Sequence, residues 1–426
     1  MQLKLYDGTT TLTLSNSAPA LGASYFPTWE DGAGEVTETA VLILEGTAAA
    51  IQTATQAIEA MLSDARNRPI TGSPRIYVLF SPQDSGSTYR SEVLDGALTW
   101  SADPLKRRLK STSNAVEVAV TWTRRNYWEG DETEIYLSSS SQTERLSGVT
   151  VYNNDNVGNS NYFQAAANRV IGALPAPVKL RVTNASGGSL GWVNFHLCNN
   201  VFSAPASADV WLLGSEAVSG AAVSWGGGGS THATNHFIFN LTTAIMGHAQ
   251  GRYFRALMAC TGITSGIYVR AQVGSYIGGI FQALWTGREV LVSGQLVDLG
   301  VFPIPPGGFE VTTASAALVI TVRTTSGGSI TLDFVQLMAT DAYRWLRQIG
   351  YLATNGESVE DNGIDGGAYL LSGSSKVPII RAYGQPLRVW PGRINRMHVL
   401  FDEGTTFTPT RQMTVRAWYR PRYPTI

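Results

Sequence analysis

Along most of the 426-residue chain, apolar and polar residues alternate with a period of two. In NAVEVAVTWT (114–123), Val116, Val118, Val120 and Trp122 fall on one face, with Glu117, Ala119 and Thr121 on the other, as in a half-buried strand. Similar segments occur at 2–6, 10–14, 36–44, 75–80 and 89–100. One stretch breaks the rule. From Thr47, TAAAIQTATQAIEAMLSDAR places Ile51, Ala54, Ile58, Met61, Leu62 and Ala65 at spacings of three and four, which predicts an amphipathic helix. Thr47 serves as its N-cap, and Pro69 is expected just past its end. A lone helix among strands must lay its stripe on a sheet, so residues 1–135 are predicted to be a small β-sandwich or barrel with one helix packed outside it.

YLSSSSQTERLSG (136–148) reads as a Ser-rich linker and sets the domain boundary. Residues 149–340 carry nine candidate strands, at 178–184, 191–197, 209–213, 236–242, 252–259, 266–273, 296–302, 316–324 and 330–338. Gly, Ser and Asn turns separate them, which predicts a two-sheet sandwich of the jelly-roll kind. Residues 341–426 open with a helical turn at DAYRWLRQIG, then give a loop at 355–375 and strands at 376–382, 386–390, 396–401 and 412–419. Four strands are few for a separate domain, so this segment is expected to complete one of the other two. The fold class is thus mainly β with one helix.

Composition agrees. Charged residues are 15% of the chain, well under the usual quarter, and small turn-forming residues fill the gap. The net charge is −1, with no basic stripe. That argues against a nucleic-acid partner and leaves little self-repulsion to oppose assembly. The basic clusters Lys106–Lys110, Arg124-Arg125 and Arg420-Pro421-Arg422 are short and read as solvated turns or rim contacts. The opening MQLKLYDGTTTLTL alternates like a strand and lacks a signal-peptide core, and no apolar run reaches the roughly 20 residues that span a bilayer. Synthesis in the cytoplasm without membrane insertion is the expectation. Cys198 and Cys260 read as buried free thiols, with a disulfide as the alternative.

Chemistry is sparse. His232 and His236 have the i, i+4 spacing of metal ligands, but four glycines precede them and a strand follows, so a polar turn is expected. No GxSxG elbow or Walker loop occurs. The carboxylate pairs Glu30/Asp31, Asp131/Glu132, Glu360/Asp361 and Asp402/Glu403 lie beside turns, where acidic residues serve the backbone. No catalytic residue, metal site or cofactor is expected, and the chain is not read as an enzyme. Among the tryptophans, Trp192 and Trp211 sit in strand patterns and read as core. Trp225, beside the glycines, is the candidate for stacking a sugar, which makes a carbohydrate-binding protein the rival reading.

Three segments carry a resemblance. TWTRRNYWEGDE (121–132) resembles the end of the N-terminal domain of minor tail proteins of long-tailed phages. ALPAPVKLRVTN (173–184) is similar to the entry into their jelly-roll or galectin-like domain, and GQPLRVWPGRINRMHVLF (384–401) with AWYRPRYP (417–424) resembles their finish. Within that class the distal tail protein is the nearest match. The resemblance implies a tail-tube-like ring, hexameric in such proteins, made by 1–135 with part of 341–426, and a peripheral galectin-like domain at 149–340. It further implies a virion location, contacts with tail tube, hub or fibre proteins, and a host surface glycan as a partner of the outer domain.

Overall fold

The computed structural model describes residues 2–14, 20–32, 34–82, 86–100, 114–153, 155–156, 159–200, 211–213, 223–227, 237–241, 251–264, 266–278, 280–304, 316–325, 327–408 and 410–424. It is mainly β, in several antiparallel sheets with one α-helix among the described residues, as the alternation requires. The chain divides into two units: residues 1–132, 172–174 and 420–426 form the first, and 133–171 with 175–419 the second.

Unit 1 contains strands β1 (Gln2–Tyr6), β2 (Thr11–Thr13), β3 (Ala20–Gly32) and β4 (Glu35–Gly46), helix α1 (Ala48–Thr71), and strands β5 (Ile76–Ser81), β6 (Tyr89–Trp100) and β7 (Asn114–Arg125). The strands form one antiparallel sheet in the order β2-β1-β5-β6-β7-β4-β3, joined beside β6 by the short Trp128–Glu129 and Arg422–Tyr423 pair. Alternation sends Val36, Ala40, Leu42 and Leu44 of β4, and Val116, Val118, Val120 and Trp122 of β7, to one buried face. Helix α1 covers it with Ile51, Thr55, Ile58, Met61, Leu62 and Ala65. Close contact requires Gly96: a Cβ there would lie 2.6 Å from Leu62 Cδ2 and 2.8 Å from the Thr121 carbonyl oxygen.

The Ala50 amide donates to Thr47 Oγ1 at 3.2 Å, capping α1 as expected. Two details differ. Thr55 rather than Ala54 completes the buried stripe, and its hydroxyl is satisfied by the Gln52 carbonyl at 3.0 Å. Pro69 lies inside the last turn. The stop is Gly72, whose left-handed φ of 69° lets its amide return to the Arg68 carbonyl at 2.9 Å.

Unit 2 contains two sandwiches, one inserted in the other. The outer one pairs a six-stranded sheet (Ser138–Ser139, Tyr162–Ala165, Asn395–Asp402, Leu190–Asn200, Tyr343–Ala353, Arg381–Gly384 in spatial order) with an eight-stranded sheet centred on Ala176–Asn184 and Gln412–Tyr419. Trp192, Phe195 and Phe401 fill its centre with Val178, Leu180 and Val415. Trp192 is core, as its strand pattern implies. Between Asn200 and Tyr343 the chain builds the inner sandwich. One of its sheets is centred on Gly328–Ala339 and Tyr253–Thr261, the other on Ala316–Thr324 and Ile267–Ile277, and they enclose Phe254, Phe302, Ile320 and Leu332. A third apolar cluster (Leu257, Phe334 and Met338 against Cys198, Leu400 and Phe407) joins the two.

This arrangement corrects three expectations. Residues 136–148 are not a free linker: Leu137 is buried in the outer core and bridges Arg145, and Ser138–Ser139 pairs with Tyr162–Ala165. Nor do 149–340 make one sandwich, because 149–200 close with 343–419 while 211–339 fold upon themselves. Finally, DAYRWLRQIG is a 3-10 turn at Thr340–Ala342 running into strand Tyr343–Ala353, with Leu346 turned inward between outward Trp345 and Arg347.

Candidate functional site

The sheet of unit 1 has a second face, opposite α1. On it stand Thr37, Thr39, Val41 and Ile43 of β4, Ala119, Thr121 and Thr123 of β7, and Ala97 and Thr99 of β6. They match in register: Thr39 is opposite Thr121 and Thr121 opposite Ala97, while Val41 is opposite Ala119 and Ala119 opposite Thr99. The Thr37–Thr123 and Thr39–Thr121 hydroxyls bond across the strands at 3.0 Å each. Among the described residues charge stands at the margins of the patch: Glu35 and Arg125 at one end, Glu45 and Glu117 at the other, and Asp95, opposite Thr123 on β6 and paired with Arg66 at 2.6 Å. Ile43 is 46% exposed. A lone solvent-facing sheet ordinarily carries charged side chains; this uncharged β-branched surface is suited to contact with another protein. Strands β2 and β3 end the sheet on either side.

The basic clusters do not add up to a charged surface. Arg124 is buried on the helix side, where its Nε and Nη2 donate to Glu38 at 2.8 and 2.5 Å. Arg125 shares Glu92 with Arg68 and Arg75, and Arg422 donates to Glu129 at 2.7 Å. Residues 106–110 lie outside the described residues.

In unit 2 the outward face of the six-stranded sheet carries cross-strand rows. One runs Leu400, His196, Trp345, Tyr383, and the next Asp402, Asn194, Arg347, Arg381. His196 stacks on Trp345 with centroids 5.9 Å apart, and Trp345 meets Tyr383 at 5.3 Å. His196 Nδ1 is 2.6 Å from the Tyr343 hydroxyl. Burial, helped by the Arg255 charge, pushes its pKa down to about 3, so it is neutral at ordinary pH and acts as a packing and hydrogen-bonding group. His398 Nδ1 lies 3.4 Å from Asn161 Oδ1, and Asn161 Nδ2 donates to Gln336 Oε1 of the inner sandwich at 3.3 Å. Cys198 and Cys260 are both buried and not joined in a disulfide, and burial raises the Cys260 pKa to about 12.

The residues nominated from sequence are dispersed. Trp225 lies in strand Val223–Gly227, opposite Ile330, and its side chain is outside the described residues, as are His232, His236 and His248. Glu360 and Asp361 are consecutive in one strand and have separate partners: Arg181 and Lys376 for the first, Arg344 for the second. Asp402 is held by Asn194, Glu403 by Arg411 and Asp131 by Arg90. The Glu30 and Asp31 side chains are outside the described residues. Among the described residues no three His, Cys, Asp or Glu groups form a metal-holding cluster. The Trp345 row is hidden in the sequence because YRWLR also fits a helical period; its outward-inward alternation is the signal that marks a strand.

Neither a protein-family model nor a curated protein matches the chain. Two solved chains resemble it. One is from the phage P2 baseplate in its activated conformation with Ca, at 7% identity over 100% of this chain and 99% of that one, with a TM-score of 0.30. The other is from the phage p2 baseplate in its activated conformation with Sr, at 10% identity over 46% of this chain and 71% of that one, with a TM-score of 0.23.

Proposed function

We propose that the chain is a structural component of a phage tail, an adaptor whose copies form a ring at the tail tip. The carrying observation is the uncharged Thr/Ala/Val/Ile face of unit 1, flanked by end strands β2 and β3. Such a face gains by leaving water, and a strand edge offers unpaired backbone groups to a neighbour. Contacts of one face with a different edge are heterologous and close into a ring when the rotation fits. A net charge of −1 leaves little repulsion between copies. The tail-protein resemblance of segments 121–132, 173–184 and 384–401 supports the same reading and supplies the ring order of six, the virion location and the tail tube, hub or fibre as neighbours. No reaction is assigned to the chain.

The test is assembly. Purified protein should appear as rings in negative-stain images and as one multimer in mass photometry. Ile43→Asp and Ala119→Lys, both placing charge on the face, should abolish the rings and leave folded protein in assemblies of no more than two copies. A monodisperse monomer of the unaltered protein at high micromolar concentration would sink the proposal.

A further inference from the structure

The inner sandwich ends in an unusual strand. Ile280–Thr286, IFQALWT, is the outermost of its five-stranded sheet, pairing with Ile267–Ile277 on one side and with no described strand on the other. It is seven residues long and contains no Lys, Arg, Asp, Glu or Pro. Other end strands are blunted or short: Ala20–Gly32 carries Pro27, Glu30 and Asp31, Ser375–Pro378 carries Lys376 and Pro378, Arg381–Gly384 carries Arg381, and Leu296–Pro303 carries Asp298 and Pro303, while the uncharged end strands Val149–Tyr152 and Phe237–Asn240 have four residues each. Thr11–Thr13, Ser138–Ser139 and Trp211–Leu213 have only two or three residues. Charges, prolines and shortness are the ordinary defences of a free edge, and Ile280–Thr286 has none of them.

Its surroundings add apolar surface. Ile280 is 70% exposed and Leu284 53%, flanked by Ile277 at 46% and Leu291 at 48%. A row of unpaired N–H and C=O groups is complemented by another extended strand, and one without charges by a strand equally free of them.

We propose that this edge pairs antiparallel with the same edge of a second copy, joining two inner sandwiches into one continuous sheet. The occupant is a second copy because the chain itself supplies a charge-free apolar strand at its surface. Neutral meets neutral, and a two-fold contact between identical patches is self-complementary by construction. The pairing does not rest on the tail reading and uses a different surface from the unit 1 face.

Single cysteines placed in turn at positions 280 to 284 of the full chain test it under mild oxidation. The native Cys198 and Cys260 are buried and leave the background silent. A two-fold antiparallel pair brings one position, or two adjacent ones, opposite its own copy at about 4.5–5.5 Å, within disulfide reach. Two residues further along, the separation grows to about 13 Å. Covalent dimer should peak sharply at one or two adjacent positions, persist when Ile43→Asp is added, and fall at least tenfold when Leu284→Lys is added at a position away from it. Cross-linking at no position, or equally at all five, overturns the proposal.

Discussion

Glu38 and Arg124 face each other inside unit 1, on the apolar side of a sheet that a helix covers, joined by two hydrogen bonds of 2.8 and 2.5 Å. Trp122 Nε1 donates to the same carboxylate at 3.1 Å, and the Arg124 guanidinium lies 4.2 Å from the Trp128 ring centroid. The four groups satisfy one another where water is excluded. Removing one charge is therefore far worse than removing both. Glu38→Ala should cost about 3–5 kcal/mol, and Glu38→Leu with Arg124→Met should recover most of it. Urea unfolding of the two variants decides; equal losses would contradict the account.

Asp361 and Asp402 both have pKa values raised to about 6, chiefly by burial and partly offset by Arg344 and Asn194 respectively. A folded pKa above the unfolded value means the native state holds its proton more tightly. Each group therefore costs stability as pH rises from about 4 to 6, with no further change above that. The full effect is roughly 3 kcal/mol per group. Asp402→Asn, which still accepts from Asn194, should gain stability relative to the native protein across that window. Denaturation curves at pH 4, 5, 6 and 7 would show it; a constant difference would refute it.

Trp192 is fully buried, its ring meeting Phe195 edge-on at 4.9 Å. Trp192→Ala should destabilise unit 2 by about 3–5 kcal/mol. Thermal unfolding, followed with a unit 1 variant as control, should show the loss in the unit 2 transition.

Gly96 is the point where α1 comes down on β6. Gly96→Ala forces a methyl against Leu62 and the Thr121 carbonyl and should cost about 1–3 kcal/mol. Shortening the opposing side chain by Leu62→Val in the same molecule should return part of that in chemical denaturation.

Much of this architecture was legible wherever the signal was local. The α1 stripe and its Thr47 cap depend on residues within a few turns, and the alternation of 114–123 fixed which of its side chains are buried. What failed was partnership at long range. Val178 pairs with Tyr419 and Val149 with Val415, and nothing in either segment names its partner. Hence the outer sandwich, built from chain on both sides of a long insertion, looked like one uninterrupted domain. The serines of 136–148 mislead because two of them lie in a paired strand, while Leu137 is the segment's one buried apolar side chain in the core. Surfaces for contact were harder still, since the uncharged face of unit 1 emerges only when β4, β6 and β7 are laid side by side.

The strand Arg422–Tyr423, which pairs with Trp128–Glu129, sets an order of events during synthesis. Glu129 waits 293 positions for Arg422. At a ribosomal pace of about 5–20 residues per second, the delay is roughly 15–60 s. Until then the nascent N-terminal sheet lacks its member beside β6, so a chain released before Arg422 is made leaves that seam open in every copy.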